Sequence, residues 1–311
     1  MNDINEKANE INISNIIRLL WNSKVSIISI TAMFSISAVF YSLSLDNYFN
    51  SKALLAPVNS DGNNQSSLLS QYSGIASLTG IQLPQGSQNK TDLAIQKIQS
   101  KSFFKHLLEL DNEILPSIMA PLSYNNLTGI LDYNPELYTS SSKKWIREVK
   151  APFKTIPSIQ ESHQIFLQML SISKDESTGF VSISIEHLSP IFAHDLLKII
   201  ISEINELSRM KDLSDSRSAL DFLTIEAAKN SLSLIDNSIS NLIAVEIEKQ
   251  MLSQISQNYI FEYIDEPYIP ETKSGPNRAI ICILSFFAGF VLSSLLALFK
   301  SDLFLIRLQK N

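Results

Sequence analysis

The sequence predicts an α+β membrane protein in which two transmembrane helices flank an external domain built on a sheet and one long helix. Three observations predict it. Val25–Leu45 (VSIISITAMFSISAVFYSLSL) and Ala279–Phe299 (AIICILSFFAGFVLSSLLALF) each run without a charge. Phe180–Ile185 (FVSISI) alternates at period two, the mark of a strand with one buried face. From Ile191 to Gln257 the chain has no proline or glycine, so nothing in that stretch obliges a helix to stop.

Each apolar stretch holds 21 residues, and a helix rising about 1.5 Å per residue needs about 20 to cross the hydrocarbon core. Lys7, Arg18 and Lys24 precede the first span; Lys300, Arg307 and Lys310 follow the second. The positive-inside rule places both tails in the cytoplasm. Arg278, at the outer edge of the second span, runs against the rule, but long translocated domains escape it. Ser42-Leu43-Ser44 has the small-x-small form of a signal-peptidase site, yet the leader is too long and carries three acids. The expected organisation is a tail over 1–24, spans over 25–45 and 279–299, an external domain over 46–278, and a tail over 300–311.

The only cysteine, Cys282, falls in the second span. The external domain therefore has no disulfide and must be held by its own core or by neighbouring subunits. A net charge of −6 argues against a nucleic-acid partner.

Ile13, Ile16, Ile17, Leu20 and Trp21 form one apolar helical face ahead of the first span. The segment reads as an interfacial helix or as the wet end of the span itself. Tyr48–Val58 has strand character, Asn59–Ser67 reads as a polar loop, and Gln71–Gly86 fits a loosely packed helix or an ordered loop. Thr91 and Asp92 are expected to cap a helix running through Leu108 and ending near Pro116. Residues 121–157 are rich in Pro, Ser, Tyr and Asn, with a short helical piece expected around Lys143–Val149. Pro157-Ser158 opens a helix through Met169, and Leu170–His187 reads as a hairpin turning at Ser177-Thr178-Gly179. Ser189-Pro190 is an N-cap followed by proline at the first helical position. The long helix is expected over about 190–257, with a break at the polar stretch Lys211–Ser218. Its second part places Leu223, Ala227, Leu234, Ile239, Leu242 and Ile243 near three-to-four spacing, a stripe that must pack on another helix, in this chain or in a neighbour. Tyr259–Ile264 is a final strand returning to the sheet.

Two features qualify as sites. Pro267, Pro270 and Pro276 are spaced in multiples of three, which fits one face of a polyproline II rod or a plain linker. Ser285, Gly289, Ser293 and Ala297 recur at i+4 in the second span, a small-residue stripe that admits a close helix, either the first span or another subunit. Catalysis finds no such pattern. There is no phosphate loop, dinucleotide fingerprint or nucleophile elbow. His106, His163, His187 and His194 are scattered singly, with no metal-ligand spacing. No cofactor is expected, and no charge inside either span offers an ion path.

The order of these pieces resembles the polysaccharide co-polymerases, the Wzz-type chain length determinant family. The likeness rests on Trp21 and Lys24 before the first span, Tyr48–Pro57, Gly74–Ile81, Gly179–Pro190 with the long helix, and Pro267-x-x-Pro270 followed by Lys273-Ser274-Gly275-Pro276-Asn277-Arg278. One departure is Lys273, where a fuller proline repeat would place another proline. The resemblance implies an inner-membrane protein with an α/β base domain in the periplasm, assembled as a ring- or bell-shaped homo-oligomer. It implies no catalysis by the chain itself. It implies a scaffold that sets glycan length, O-antigen or a related surface polysaccharide, for a Wzy-type polymerase acting on undecaprenyl-linked repeats. Only twelve residues follow Phe299, with no phosphate loop, so the likeness is to the kinase-free type. It also implies that Pro267, Pro270, Ser274, Gly275, Pro276 and Arg278 fix how the external domain stands on the membrane. The same two-span plan fits a periplasmic sensor or a polysaccharide export scaffold, the alternative readings.

Overall fold

The computed structural model describes residues 20–58, 90–229, 233–255 and 258–308. The chain divides into two compact units, Met1–Asn47 with Ser274–Asn311, and Tyr48–Lys273. The architecture mixes helix and sheet, with a long helix and one membrane-capable helix at each end. The small-residue segment Gly74–Ile81 and most of the amphipathic leader lie outside the described residues. Leu20–Asn22 is helical, and Ser23 departs from helical dihedrals (φ −95°, ψ 11°) before helix α1, Lys24–Ser44. The Lys24 ammonium lies 5.4 Å from the centre of the Trp21 ring.

The Tyr48–Lys273 unit is organised on a four-stranded antiparallel sheet in the order β6-β7-β1-β8. Its strands are β1 (Phe49–Pro57), β6 (Leu170–Lys174), β7 (Val181–His187) and β8 (Phe261–Asp265). Alternation sets the buried face: Phe49, Ser51, Ala53 and Leu55 point inward from β1, and Val181, Ile183, Ile185 and His187 from β7. The register places Ala53 opposite Ile183 and Leu55 opposite Val181. The turn between β6 and β7 is made by Asp175, whose Oδ1 accepts from Ser177 N at 2.8 Å, and by Gly179 at φ +74°. That φ is why a glycine ends the turn.

Helices cover this face. Helices α2 (Lys90–Ile98), α3 (Lys101–Leu110), α4 (Ile114–Met119) and α5 (Ile159–Met169) carry Ile98, Phe103, Phe104, Leu107, Ile118 and Phe166 into the core. Phe104 and Phe166 stack with ring centres 4.8 Å apart. The expected single helix from Thr91 is two, because Ser100 stops the first and caps the second by accepting from Phe103 N. Ser158 caps α5 in the same way, accepting from Glu161 N. Helix α6 (Pro190–Lys229) opens on the Ser189 cap, which accepts from Phe192 N at 3.2 Å. It lays Ala193, Leu196, Leu197, Ile200, Ile201 and Ile204 on the sheet, the i, i+3, i+4 rhythm of one helical face.

Two further expectations need correction. No helix forms at 143–149. Residues 121–145 make two small hairpins, β2 (Pro121–Asn125) with β3 (Ile130–Tyr133), and β4 (Tyr138–Thr139) with β5 (Lys144–Trp145). Lys143, at φ 51°, occupies the left-handed region and cannot open a helix. The second correction concerns the break at Lys211–Ser218, which is helical throughout within α6. Within it Lys211 pairs with Asp215 one turn on at 2.8 Å, and just before it Arg209 pairs with Glu206 at 2.7 Å. A second helix, α7 (Ser233–Ile255), packs back along α6, and Ser216 Oγ donates to Glu246 at 2.8 Å between them. Within the expected stripe Ile239 is buried and Leu223 and Ile243 are half-buried, while Leu242 stays exposed.

Buried polar residues tie the unit together. Asn205, on α6, accepts from Ile260 N (2.8 Å) and Phe261 N (2.9 Å), and its amide donates to Phe261 O (2.9 Å). Arg147 forms a two-pronged ion pair with Glu161 and donates to the carbonyls of Lys154 and Thr155. This fastens the irregular 146–157 segment to the first turn of α5 and holds the Glu161 carboxyl below its ordinary range.

His187 is buried, 3% exposed. Its Nδ1 accepts from Ser189 N at 3.0 Å, so Nε2–H donates to Ser117 O at 2.9 Å. Both nitrogens are spent on a neutral ring, and burial lowers its pKa from 6.5 to about 4. Above pH 6.5 the folded and unfolded states are both neutral, and the full stability is present. Below it, the unfolded chain takes a proton that the fold refuses until about pH 4. Between pH 7 and pH 5 this group is therefore expected to remove about 2 kcal/mol of stability. Urea titrations at the two pH values, read on Trp145 fluorescence with Trp21→Phe, measure the loss. In His187→Gln the pH difference should shrink by that amount, and an unchanged difference would refute the assignment.

Candidate functional site

The unit formed by the chain ends is a pair of helices. Helix α8 runs Arg278–Leu308, and its Arg278–Phe299 part, like α1, is long and apolar enough to cross a membrane. Between Val25 and Ser44 and between Ala279 and Phe299 no side chain is charged.

The structure brings the small-residue stripe of α8 onto α1. Gly289 and Ser293 are buried, and Ser285 and Ala297 are half-buried on the same side. Ser285 Oγ donates to Phe34 O at 3.3 Å. Ser293 Oγ spends its proton on Phe290 O at 2.9 Å, so the 3.3 Å contact with Thr31 is donated by the Thr31 hydroxyl. Gly289 is where the backbones come closest. A Cβ added there would stand 2.8 Å from Phe34 Cβ, 3.1 Å from Phe34 Cγ and 3.4 Å from Thr31 Cα. The absence of a side chain at 289 is what permits the approach.

The facing stripe on α1 escaped the sequence reading, which named only the first span as a whole. Ile27, Thr31, Ala38 and Ser42 are its buried residues. Their spacing of four, seven and four was the available signal, because it is helical and three of the four are small or hydroxylic.

Arg278 begins α8. Its Nη2 donates to Leu45 O and to Asn47 Oδ1, both at 3.2 Å. Leu45 is the C-cap of α1, so the guanidinium satisfies a carbonyl left over where that helix ends. Asn277 opens the helix, its carbonyl accepting from Ile280 N at 3.1 Å.

The proline-rich segment is divided by the boundary between the units, which falls after Lys273. Within the Tyr48–Lys273 unit, residues 266–270 follow β8 outside helix and sheet. Tyr268 O accepts from Ser51 Oγ at 2.8 Å, so this stretch runs beside β1. Pro270 is buried and Pro267 half-buried, while Glu266, Tyr268, Ile269, Glu271 and Lys273 are exposed. Pro276 is half-buried, the Gly275–Pro276 peptide is cis, and Ser274 is exposed. Every third residue from Pro267 to Pro276 is thus covered except Lys273, the position where the sequence lacks a proline.

Among the described residues no group of three or more His, Cys, Asp or Glu side chains could hold a metal. His106 pairs with Glu203, His163 with Gln99 O, and His194 with its neighbour Asp195. An open groove is lined by Pro152, Phe153, Ile156, Pro157, Ile159 and Gln164. Its one carboxylate, Glu161, is committed to Arg147. Along the α6–α7 hairpin, Phe222, Ile225, Leu242, Ile247 and Met251 remain exposed.

The family model for chain length determinant proteins, Wzz, matches residues 9–109. Among solved structures, the chain is similar to a full-length bacterial polysaccharide co-polymerase, at 13% identity and a TM-score of 0.41, over 94% of this chain and 98% of that one. It is also similar to a fragment of WzzB, a polysaccharide co-polymerase from Salmonella Typhimurium, at 13% identity and a TM-score of 0.30, over 74% of this chain and 100% of that one. No individual curated sequence matches significantly.

Proposed function

We propose that this chain is a chain length determinant: a non-catalytic co-polymerase of the bacterial inner membrane that sets the length of a surface polysaccharide such as O-antigen. The match over residues 9–109 carries the reading. It covers the first membrane-capable helix, β1, α2 and all but the last residue of α3. In this reading both termini are cytoplasmic, and the Tyr48–Lys273 unit stands in the periplasm. Copies of the chain assemble into a ring or bell that acts on a Wzy-type polymerase and its undecaprenyl-linked glycan. One observation supports assembly. Phe222, Ile225, Leu242, Ile247 and Met251 form an exposed apolar series along a helical hairpin, and such series mark surfaces that another chain covers. Pro267, Pro270, Ser274, Gly275, Pro276 and Arg278 serve as the mount of the periplasmic unit, and Ser285, Gly289, Ser293 and Ala297 close the helix pair.

Deleting the gene is expected to replace a modal length distribution of surface glycan by a broad one, with polymerisation retained. Gel profiles of the polysaccharide from the deletion strain and from the complemented strain measure it. An unchanged profile, or loss of all polymer, would overturn the proposal.

A further inference from the structure

The guanidinium of Arg278 is under-satisfied. Its two protein bonds both come from Nη2 and both go to neutral oxygens, Leu45 O and Asn47 Oδ1. Its Nε–H is shut off from solvent with no acceptor, and Nη1 donates to no described protein group. No carboxylate among the described residues pairs with it, not even Asp46, which lies between its two partners in sequence. A buried donor left unmet is costly. An always-charged side chain at the end of an apolar helix stands at the depth where a bilayer places its phosphates. It also stands on the side where a basic residue is not favoured for topology, which leaves its charge otherwise unexplained.

We propose that Arg278 holds the phosphate of an anionic lipid headgroup where α1 ends and α8 begins. The inference rests on reading those helices as membrane-spanning. With both bonds of Nη2 committed and Nε–H enclosed, Nη1 is the donor left to meet a phosphate oxygen, in a charge-assisted hydrogen bond. Asn47 and Leu45 O orient the fork by holding Nη2. They contribute no charge, so the cation stays available to the phosphate. The lipid in turn supplies the counter-charge that the chain withholds, at the point where the two helices meet.

Native mass spectrometry of the full chain, released from mixed micelles containing phosphatidylglycerol and phosphatidylcholine, tests it. The wild-type chain is expected to retain phosphatidylglycerol in preference, and Arg278→Gln to lose roughly tenfold of that preference, the factor of one charge-assisted hydrogen bond. Arg278→Gln keeps an amide donor for Leu45 O. Asn47→Asp is the second variant: it gives Arg278 a carboxylate within the chain, and it should abolish the preference while the helix pair stays closed. Equal retention of the two lipids by the wild type, or an undiminished preference in both variants, would overturn the proposal. Inorganic phosphate binding as well as the lipid in lipid-free detergent would overturn the lipid as its source. Failure of the membrane reading is distinguishable, since the protein would then stay soluble and bring no lipid of either kind.

Discussion

Gly289→Leu is expected to force α1 and α8 apart. The case is steric. Phe34 Cβ would lie 2.8 Å from the first atom of any side chain at 289, and a Cβ cannot rotate away as a ring can. Relief must therefore come from the backbone. Overpacking of this kind costs about 1–3 kcal/mol, and separation also forfeits the Thr31–Ser293 and Ser285–Phe34 hydrogen bonds, each worth about 0.6 kcal/mol in a membrane. The readout is a disulfide between Thr31→Cys and Ser293→Cys in a Cys282→Ser background. Its yield on oxidation should fall about tenfold when Gly289→Leu is added, in line with that cost. The glycan length profile should broaden in parallel. Wild-type yield together with a wild-type profile would reduce the stripe to composition.

Asn205→Leu is the second large expected effect. One side chain satisfies two backbone donors and one acceptor at the start of β8. Leucine fills similar volume but leaves all three unmet in a site where Asn205 itself is 5% exposed. At about 1–3 kcal/mol for each group left buried without a partner, the loss should reach about 3–5 kcal/mol. Urea unfolding gives the total. Hydrogen exchange at the Ile260 and Phe261 amides locates it, because the loss of protection should begin there. Unchanged protection at these two amides would show that the strand holds without the clamp.

The signals that were legible in the sequence were local. Two charge-free stretches, the Ser189-Pro190 start, the Ser158 cap and the Asp175–Gly179 turn each depend on residues within a few positions of one another. Two stretches depart from their local pattern for different physical reasons. The hairpins at 121–145 are built of strands two to five residues long, too short for period two to emerge. Their turn chemistry was nonetheless visible, since Asn125 accepts from Leu127 N and Gly129 takes φ +70°. At Lys211–Ser218 a run of polar residues does not break the helix. There the helix continues because Lys211 and Asp215 pair i to i+4 on the outside while Leu213 and Ser216 are buried on the inside. Asn205 was invisible because its partners lie 55 and 56 positions away. The α8 stripe was legible as small residues, but its partner needed coordinates.

The sheet order has a consequence for how such a domain can change size. β1 enters the Tyr48–Lys273 unit and β8 leaves it, and they are neighbours in antiparallel register, with Pro57 opposite Phe261. Entry and exit are therefore tied to each other, whatever the chain does between them. The α6–α7 hairpin grows from the far side of that closed loop. Residues added in matched numbers to α6 and α7 would lengthen the hairpin by about 1.5 Å each and leave the strand ladder and the Asn205 clamp where they are. Height above the sheet is thus a dimension that mutation can adjust freely, while the footing stays constant.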